Sequence, residues 1–272
     1  MLNNYESATP KKMGLLEKVK KWFSSEPIVI FSVGKVGSSS IAKTLREHNI
    51  SEVQPHSLSF SRKGSYFVLP TFNPLESLFY YLKSNLIKIK TYIFKLSKKH
   101  KRIKIISLYR EPVSRNISAF FEQYQYVLNN HIDTYSTEEL VSAFWKYTNH
   151  DAPLKWFDNE LKNVFGIDIH DYEFDKGSGY LLVKKGNVDL LLLTMEKMDE
   201  NSAIIGDFVG IENFKLAKTN RAEKKVYSEQ YNHFKKNILI PKDYLNKFYN
   251  DPVINFFYST DDLKKYSNKW RH

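Results

Sequence analysis

The sequence contains no cysteine and no long apolar run. The missing thiols exclude disulfides, thiolate metal sites and cysteine nucleophiles, which fits a reducing compartment. No stretch approaches the roughly 18–20 apolar residues that a membrane-spanning helix needs. The N-terminal segment "ATPKKMGLLEKVKKWF" mixes lysines among its apolar residues, so it lacks the uninterrupted apolar core of a signal peptide. These features predict a cytoplasmic protein, with a peripheral membrane contact as the alternative.

Acidic residues are scarce relative to basic ones. The chain has 272 residues, with 41 Lys and Arg against 30 Asp and Glu, which gives a formal net charge of +11. Such a charge favours anionic partners, among them nucleotides, anionic lipids and acidic glycans. A hydrophobic fraction of 42% and a charged fraction of 26% are typical of a folded globular protein. We expect a single α/β domain over residues 1–272.

Two strand–loop–helix units organise the first half of the chain. "PIVIFSV" (27–33) is an apolar, β-branched run typical of a buried parallel strand, and helical spacing follows it. "IKIISLY" (103–109) is a second such strand, and the helix over 113–128 can begin at Pro112. A hairpin is predicted around Gly186-Asn187. The pattern predicts a P-loop NTPase-like three-layer α/β/α fold with a central, mainly parallel sheet plus inserted and C-terminal helices.

Three other segments are predicted to be helical. They are an N-terminal helical extension (1–25), a basic amphipathic helix (74–102) and a C-terminal helical region (221–272). Within 77–97 the apolar residues form one helical stripe, and lysines occupy other positions. This helix is either a crossover helix with a solvated basic face or a surface that contacts an anionic membrane.

The stretch "FSVGKVGSSSI" (31–41) has the composition of a phosphate-binding loop. Backbone N–H groups at the end of a strand and the start of a helix can surround an anion, and the serines and Lys35 add donors. The motif G-x-x-x-x-G-K-[ST] is absent, because Lys35 lies between Gly34 and Gly37. An ordinary glycine–serine turn, with Ser38 capping the helix, is the alternative.

A second phosphate site is predicted where the strand 103–109 ends. Arg110 follows this strand, and Ser118 comes eight residues later on the next helix, so both can hold one phosphate. A strand-end salt bridge is the alternative for Arg110. No His, Asp and Glu cluster has metal-ligand spacing, and no strand ends in the aspartate of a Mg-dependent nucleotidase, so no metal is expected.

Together these motifs resemble the sulfotransferases. "GKVGSSSIAKTL" resembles the 5′-phosphosulfate loop of glycan sulfotransferases, and "YREPVSRNISAFF" is similar to their 3′-phosphate motif. "HDAPLKWFDNELKNVFGIDIHDYEFD" and "FYSTDDLKKYSNKW" further resemble bacterial proteins labelled "putative capsular polysaccharide synthesis protein", a sulfotransferase-like group. The resemblance implies 3′-phosphoadenosine 5′-phosphosulfate (PAPS) as the donor and a metal-free transfer that yields adenosine 3′,5′-bisphosphate (PAP).

The resemblance also assigns the donor-binding residues. The 3′-phosphate would be held by Arg110 and Ser118. Lys35 would also stabilise the leaving phosphate in catalysis. The 5′-phosphosulfate would be held by Lys35, Val36, Gly37, Ser38, Ser39 and Ser40.

The acceptor hydroxyl needs a base, and His56 in "VQPHSLS" is the first candidate. It lies just past a short strand predicted around "SEVQ" (51–54), at the sheet edge that carries the loop. A structural histidine is the alternative. The rival bases are Glu122, His150 and Asp151. Weaker candidates for the site are Asp158, Glu160, Glu196, Asn220 and Arg221.

The resemblance implies a saccharide or glycolipid acceptor, in capsular or surface polysaccharide biosynthesis. Nucleic acid is not expected as a partner. Two other function classes stay open at this point. One is a P-loop kinase or nucleotide-binding protein, and the other is a non-enzymatic module in which the basic helix binds an anionic membrane.

Overall fold

A five-stranded sheet forms the centre of the protein. The computed structural model describes residues 26–59, 102–124, 128, 131–217 and 226–271. The sheet has the order β2-β1-β3-β5-β4, and every neighbouring pair is parallel except β4 and β5. The strands are β1 (Ile28–Ile30), β2 (Glu52–Val53), β3 (Ile103–Tyr109), β4 (Tyr180–Lys185) and β5 (Val188–Thr194). The predicted α/β class with a mainly parallel sheet is confirmed.

The two seven-residue strands form the interior of this sheet. In β3 and β5 all but one residue each are buried, as expected for parallel strands that are covered on both faces. They pair in parallel from Ile103 opposite Val188 to Tyr109 opposite Thr194. The predicted hairpin is confirmed, because β4 and β5 pair antiparallel on either side of Gly186-Asn187.

The first strand is shorter than the predicted run of 27–33. Pairing as a strand ends at Ile30, although the Phe31 N–H still donates to the Ile106 carbonyl at 2.9 Å. One residue later the Ser32 hydroxyl accepts from the Leu108 N–H at 2.8 Å. The Ser32 side chain therefore takes the place of a main-chain acceptor between β1 and β3, and the Ser32 carbonyl is available to other groups.

Helices connect and flank the strands. A six-residue stretch with π-helical hydrogen bonding, Phe157–Lys162, joins the helices Ala152–Trp156 and Asn163–Phe165 and is called the π segment. The α-helices are α1 (Ser38–Glu47), α2 (Pro112–Gln123), α3 (Thr137–Tyr147), α4 (Ala152–Trp156), α5 (Asn163–Phe165), α6 (Ser202–Val209), α7 (Ser228–Asn237), α8 (Lys242–Tyr249), α9 (Pro252–Phe257) and α10 (Thr260–Trp270).

The second helix begins at Pro112, as predicted. Glu111 is its N-cap, and the Glu111 carboxylate accepts from the N–H groups of Val113 and Ser114. Tyr249 also donates its hydroxyl to this carboxylate at 3.0 Å. A buried acidic cap therefore joins the start of α2 to the C-terminal helices.

The strand order reverses at β1, which has β2 on one side and β3 on the other. In open α/β sheets the crevice outside the carboxyl ends of strands at such a reversal is the usual ligand position. The loop after β1 (residues 31–37, the β1 loop), the loop after β2 (residues 54–59, the β2 loop) and the start of α2 meet at this position.

Two of the predicted segments fall outside the described residues. These are the N-terminal extension (1–25) and, apart from Arg102, the basic helix (74–102). The division of the chain into a single domain with appended segments stays a prediction.

Candidate functional site

The β1 loop has an unusual backbone. Lys35 and Gly37 both have positive φ, 73° and 86°, and Gly37 is the N-cap of α1. A lysine in this region is strained by about 1–2 kcal/mol, and such strain clusters at functional sites. No side chain caps α1, so the alternative of Ser38 as a cap is wrong. The Ser40 N–H donates to the Gly37 carbonyl at 3.1 Å, and no side chain caps the start of α1, as an anion site there would require.

Two arginines hold the carbonyls of the β1 loop. Arg110 donates from Nη1 to the Lys35 carbonyl at 3.1 Å, and Arg115 donates from Nε to the Gly34 carbonyl at 3.0 Å. Arg115 is fully buried and also donates to the Asn116 side chain at 2.9 Å. The carbonyls are thus fixed toward β3 and α2 by cations.

One face of α2 carries three polar side chains. Ser114, Ser118 and Glu122 are spaced four apart, so they share a face. Lys35 Nζ lies 3.2 Å from Glu122 Oε2, and Tyr227 donates its hydroxyl to the same oxygen at 2.7 Å. Half-buried Ser118 therefore lies one helical turn from the carboxylate that Lys35 contacts. Glu122, a rival base, is engaged by these two side chains.

A cationic cluster, defined by Arg110, Lys235 and Lys269, lies at the start of α2. Lys269 donates to the Ser114 hydroxyl at 3.4 Å. Desolvation lowers the pKa of Lys235, and repulsion from Lys269 and Arg110 lowers it further. Desolvation also lowers the pKa of Lys269, and Arg110 adds repulsion while Glu111 opposes the shift. Mutual repulsion of this kind indicates a position suited to an anion.

His56 lies in the β2 loop, next to the β1 loop. Its Nδ1 lies 3.1 Å from the Ser32 carbonyl, which can only accept, so in the neutral ring Nδ1 carries the proton. Its side chain is exposed at the surface, yet the surrounding protein removes enough water to lower its pKa. Arg115 and Lys35 repel the imidazolium and lower the pKa further, while the Ser32 hydrogen bond opposes the shift.

The π segment and the end of α4 hold the β2 loop through hydrogen bonds. Glu160 is 1% exposed and accepts from the Ser57 hydroxyl at 2.6 Å, the Leu58 N–H at 2.7 Å and the Ser59 N–H at 2.8 Å. Trp156 donates its indole N–H to the His56 carbonyl at 2.9 Å. Glu160 therefore contacts the loop rather than an acceptor, and Asp158, two residues earlier, is exposed.

The other rival bases are placed elsewhere. His150 packs against Phe144 and Trp145, and its Nδ1 shares a 2.9 Å hydrogen bond with the Tyr244 hydroxyl. Desolvation lowers the pKa of His150 to about 4. Asp151 forms ion pairs with Lys155 at 3.1 Å and Lys247 at 2.8 Å. These contacts give both residues structural partners away from the β1 loop.

Glu196 directly follows the fifth strand, in the 3-10 turn Met195–Lys197. It accepts from the Glu111 N–H at 3.0 Å and from the Tyr258 hydroxyl at 2.9 Å. Burial raises its pKa, and nearby Arg110 opposes the shift. Its contacts join the end of β5 to α2 and to the C-terminal helices. Asn220 and Arg221 lie outside the described residues.

Several residues of this region were missed by sequence reasoning. Arg115 carried one signal, a charged residue within the otherwise apolar and small-residue face of "VSRNISAFF". Lys235, Lys269 and Tyr227 carried none, because they lie among many lysines and tyrosines of the C-terminal third. In the part of the chain that the structure describes, no group of three or more His, Cys, Asp or Glu side chains is arranged to hold a metal ion. Among the same residues, no helix has both the length and the apolar character needed to cross a membrane.

Comparison with known proteins gives one family. Residues 129–259 match the NKWYS family, described as "Putative capsular polysaccharide synthesis protein". Neither the curated proteins nor the solved structures gave a match. The matched segment contains the π segment and the α7–α9 helices, while the β1 loop and Arg110 precede it. The chain is therefore similar, over 129–259, to a family named for capsular polysaccharide synthesis.

Proposed function

We propose that the protein is a P-loop-type sulfotransferase that transfers a sulfuryl group from PAPS to a hydroxyl of a saccharide or glycolipid. The observation that carries the proposal is the placement of two cationic regions at the ends of adjacent strands. The β1 loop with Lys35 follows β1, and the cationic cluster surrounds the end of β3. A donor with phosphate groups at both its 3′ and 5′ positions matches this pair.

The residues fit such a donor. The N–H groups and hydroxyls from Gly37 to Ser40, with Lys35, would hold the 5′-phosphosulfate at the start of α1. Arg110 and Ser118 would hold the 3′-phosphate, and Lys235 and Lys269 would add positive charge there. Arg110 would link the two sites, since it also holds the Lys35 carbonyl.

The donor, the acceptor and the side chains of the site account for every bond, charge and proton in the proposed transfer. The acceptor oxygen forms a bond to sulfur, and the bond between sulfur and the 5′-phosphate oxygen breaks. Charge develops on that phosphate oxygen, where Lys35 stabilises the transition state more than the ground state. The acceptor proton passes to Nε2 of His56, the unprotonated nitrogen of the neutral ring. The products are PAP, the sulfated acceptor and a protonated histidine.

Lys35 must change partners in this mechanism. Its ammonium contacts Glu122 at 3.2 Å, and both side chains are partly accessible, at 26% and 40%. A partly solvated ion pair contributes little, about 0–1 kcal/mol, so the 5′-phosphosulfate, with one negative charge on its phosphate and one on its sulfate, can displace the carboxylate. Glu122 is then a resting partner of Lys35 rather than the base.

The acceptor class rests on the family comparison. The name of the family that matches residues 129–259 refers to capsular polysaccharide synthesis, which supports a saccharide or glycolipid. A net charge of +11 suits an acidic glycan or an anionic membrane surface. We also propose that the protein acts in the cytoplasm, with PAPS as its donor.

Calorimetric titration of PAP in EDTA tests the proposal. We expect metal-free binding that exceeds that of ATP and falls about 10–100-fold in Arg110→Ala and in Lys35→Ala, because each removes charge-assisted hydrogen bonds. Lys43→Ala removes an equal charge from an exposed part of α1 and should bind as wild type does.

Three outcomes would contradict the proposal. Binding of ATP only with magnesium would favour a kinase. Binding of anionic vesicles by a protein that binds neither PAP nor ATP would favour a membrane module. Equal losses in Lys43→Ala and Arg110→Ala would mean that net charge, and not a built site, attracts the nucleotide.

A further inference from the structure

The β2 loop is held by the carboxylate of Glu160. Ser57 donates to Oε1 of Glu160, and the N–H groups of Leu58 and Ser59 donate to Oε2. Within the described residues no lysine or arginine forms a salt bridge with it, so these three donors stabilise a buried charge. Charge-assisted hydrogen bonds of this length are the strong ones, so the loop is fixed firmly.

The helix that supplies Glu160 also contacts His56 directly and, through Phe31, the strand end beside it. Trp156, four residues earlier, donates to the His56 carbonyl, and its ring packs edge-on against Phe31 at 4.7 Å. Phe31 precedes Ser32, whose carbonyl meets His56 Nδ1. One helix therefore fixes the main chain of His56 and also packs on the strand end that binds the ring.

The helix changes to π hydrogen bonding between these two residues. Trp156 ends α4, and Glu160 lies within the π segment. π turns are rare and occur frequently at functional sites. Here the wider turn places the indole N–H of Trp156 and the buried carboxylate of Glu160 against the same short loop. A carboxylate on the surface of an ordinary helix would instead remain in water.

From these contacts we infer that Glu160 is a positioning residue for His56, with Trp156 as its partner. The pair holds the β2 loop against the end of β1, so that the Ser32 carbonyl keeps the proton on Nδ1 and leaves Nε2 as the basic nitrogen. The desolvated position next to Arg115 and Lys35 also keeps the ring neutral. The catalytic meaning of this inference rests on the proposed function, but the physical effect on His56 does not.

Histidine titration by NMR tests the inference without any substrate. The protein has eight histidines, and His56→Asn assigns the signal of interest. In wild type we expect the His56 pKa below the ordinary value of 6.5, with the Nδ1–H tautomer in the neutral form. In Glu160→Gln the amide NH₂ of glutamine is itself a donor and faces at least one donor of the β2 loop. That hydrogen bond is lost, so the loop is held less firmly. The His56 pKa should then rise toward 6.5, and the tautomer preference should weaken.

Asp158→Asn is the matched control. It removes the same charge from the same π segment, but its side chain is exposed, so the His56 titration should equal that of wild type. If Glu160→Gln does not fold, Ser57→Ala and Trp156→Phe carry the test, since each removes a single donor. An unchanged His56 titration in folded variants would overturn the inference.

Nucleotide binding separates this inference from the proposed function. PAP affinity in Glu160→Gln should stay within about twofold of wild type, because Glu160 acts on the β2 loop and not on the donor site. If wild type binds no PAP while Glu160→Gln still shifts the His56 titration, the sulfotransferase proposal fails and the positioning role stands. If PAP binds and the titration does not shift, the positioning role fails alone.

Discussion

The β1 and β2 loops are held with opposite polarity. Arginine side chains bind the carbonyls of the β1 loop, whereas a carboxylate binds the N–H groups of the β2 loop. A loop whose carbonyls are bound by cations turns its other side, and the start of its helix, toward an anion. A loop whose N–H groups are already bound cannot serve an anion in that way. The difference indicates that the β1 loop is suited to binding a ligand and the β2 loop to holding a side chain.

The two supports also come from different parts of the chain. Arg110 and Arg115 belong to the β3–α2 unit, which the family match does not cover. Glu160 and Trp156 lie within the matched residues 129–259. The candidate site therefore combines a β1 loop supported by one segment with a β2 loop supported by the other.

The largest expected effect comes from removing the buried support of the β1 loop. In Arg115→Met the Gly34 carbonyl and the Asn116 side chain lose a buried donor, at about 1–3 kcal/mol for each group. We expect a loss of about 2–6 kcal/mol in the free energy of unfolding by urea. Arg110→Met, which is half-buried, should lose clearly less stability. Equal losses would mean that the two arginines have the same role.

Acid should distinguish the half-buried His150 from the exposed His56. The pKa of His150 in the folded protein is about 4, below its unfolded value of 6.5, so the unfolded chain binds more protons between these values. Stability from neutral His150 is therefore present above pH 6.5 and is lost as the pH falls toward 4, by about 2–3 kcal/mol after allowing for partial exposure. Urea unfolding at pH 6.5 and 4.5 should show a shallower pH dependence in His150→Gln than in His56→Gln. The reverse order would contradict this assignment.

A smaller effect is expected at Gly37. An added Cβ would meet Met195 and Met198 at 3.3 Å, and the φ of 86° disfavours any side chain by about 1–2 kcal/mol. Gly210→Ala is the matched control, with a φ of 80° and nothing within 4 Å. We expect Gly37→Ala to lose more stability than Gly210→Ala in urea. It should also bind PAP more weakly, while Gly210→Ala binds it normally. Equal behaviour would show that the β1 loop has no special geometry.

The strands and the β1 loop could be predicted because their signals are local. The run 103–109 forms β3 with those bounds, and the two glycines with Lys35 identified the loop that has positive φ. His56 was placed near this loop because it follows a short strand, and its contact with Ser32 agrees.

The supports of the site could not be predicted in the same way. Ser57 and Glu160 are 103 residues apart in the sequence, and a periodic sequence pattern cannot indicate a contact between residues so widely separated. The sequence offers Asp158 and Glu160 only as weaker candidates for the site, whereas in the structure Glu160 is buried and accepts three hydrogen bonds from the β2 loop. The π segment had no sequence signal at all, since the same residues fit an ordinary helix.

The contact between Trp270 and Glu111 has a consequence for synthesis. The indole N–H donates to the acidic cap of α2 across 159 residues, and Glu160 reaches the β2 loop across more than 100. As a ribosome releases the chain from its N-terminus, the β1 loop and β3 emerge long before these partners. Contacts of such sequence separation form slowly, because the intervening chain must be closed into a loop first. Assembly of the site is therefore a late event, and a ribosome-bound chain that stops before Trp270 carries the β1 loop without the last contact to the cap of α2.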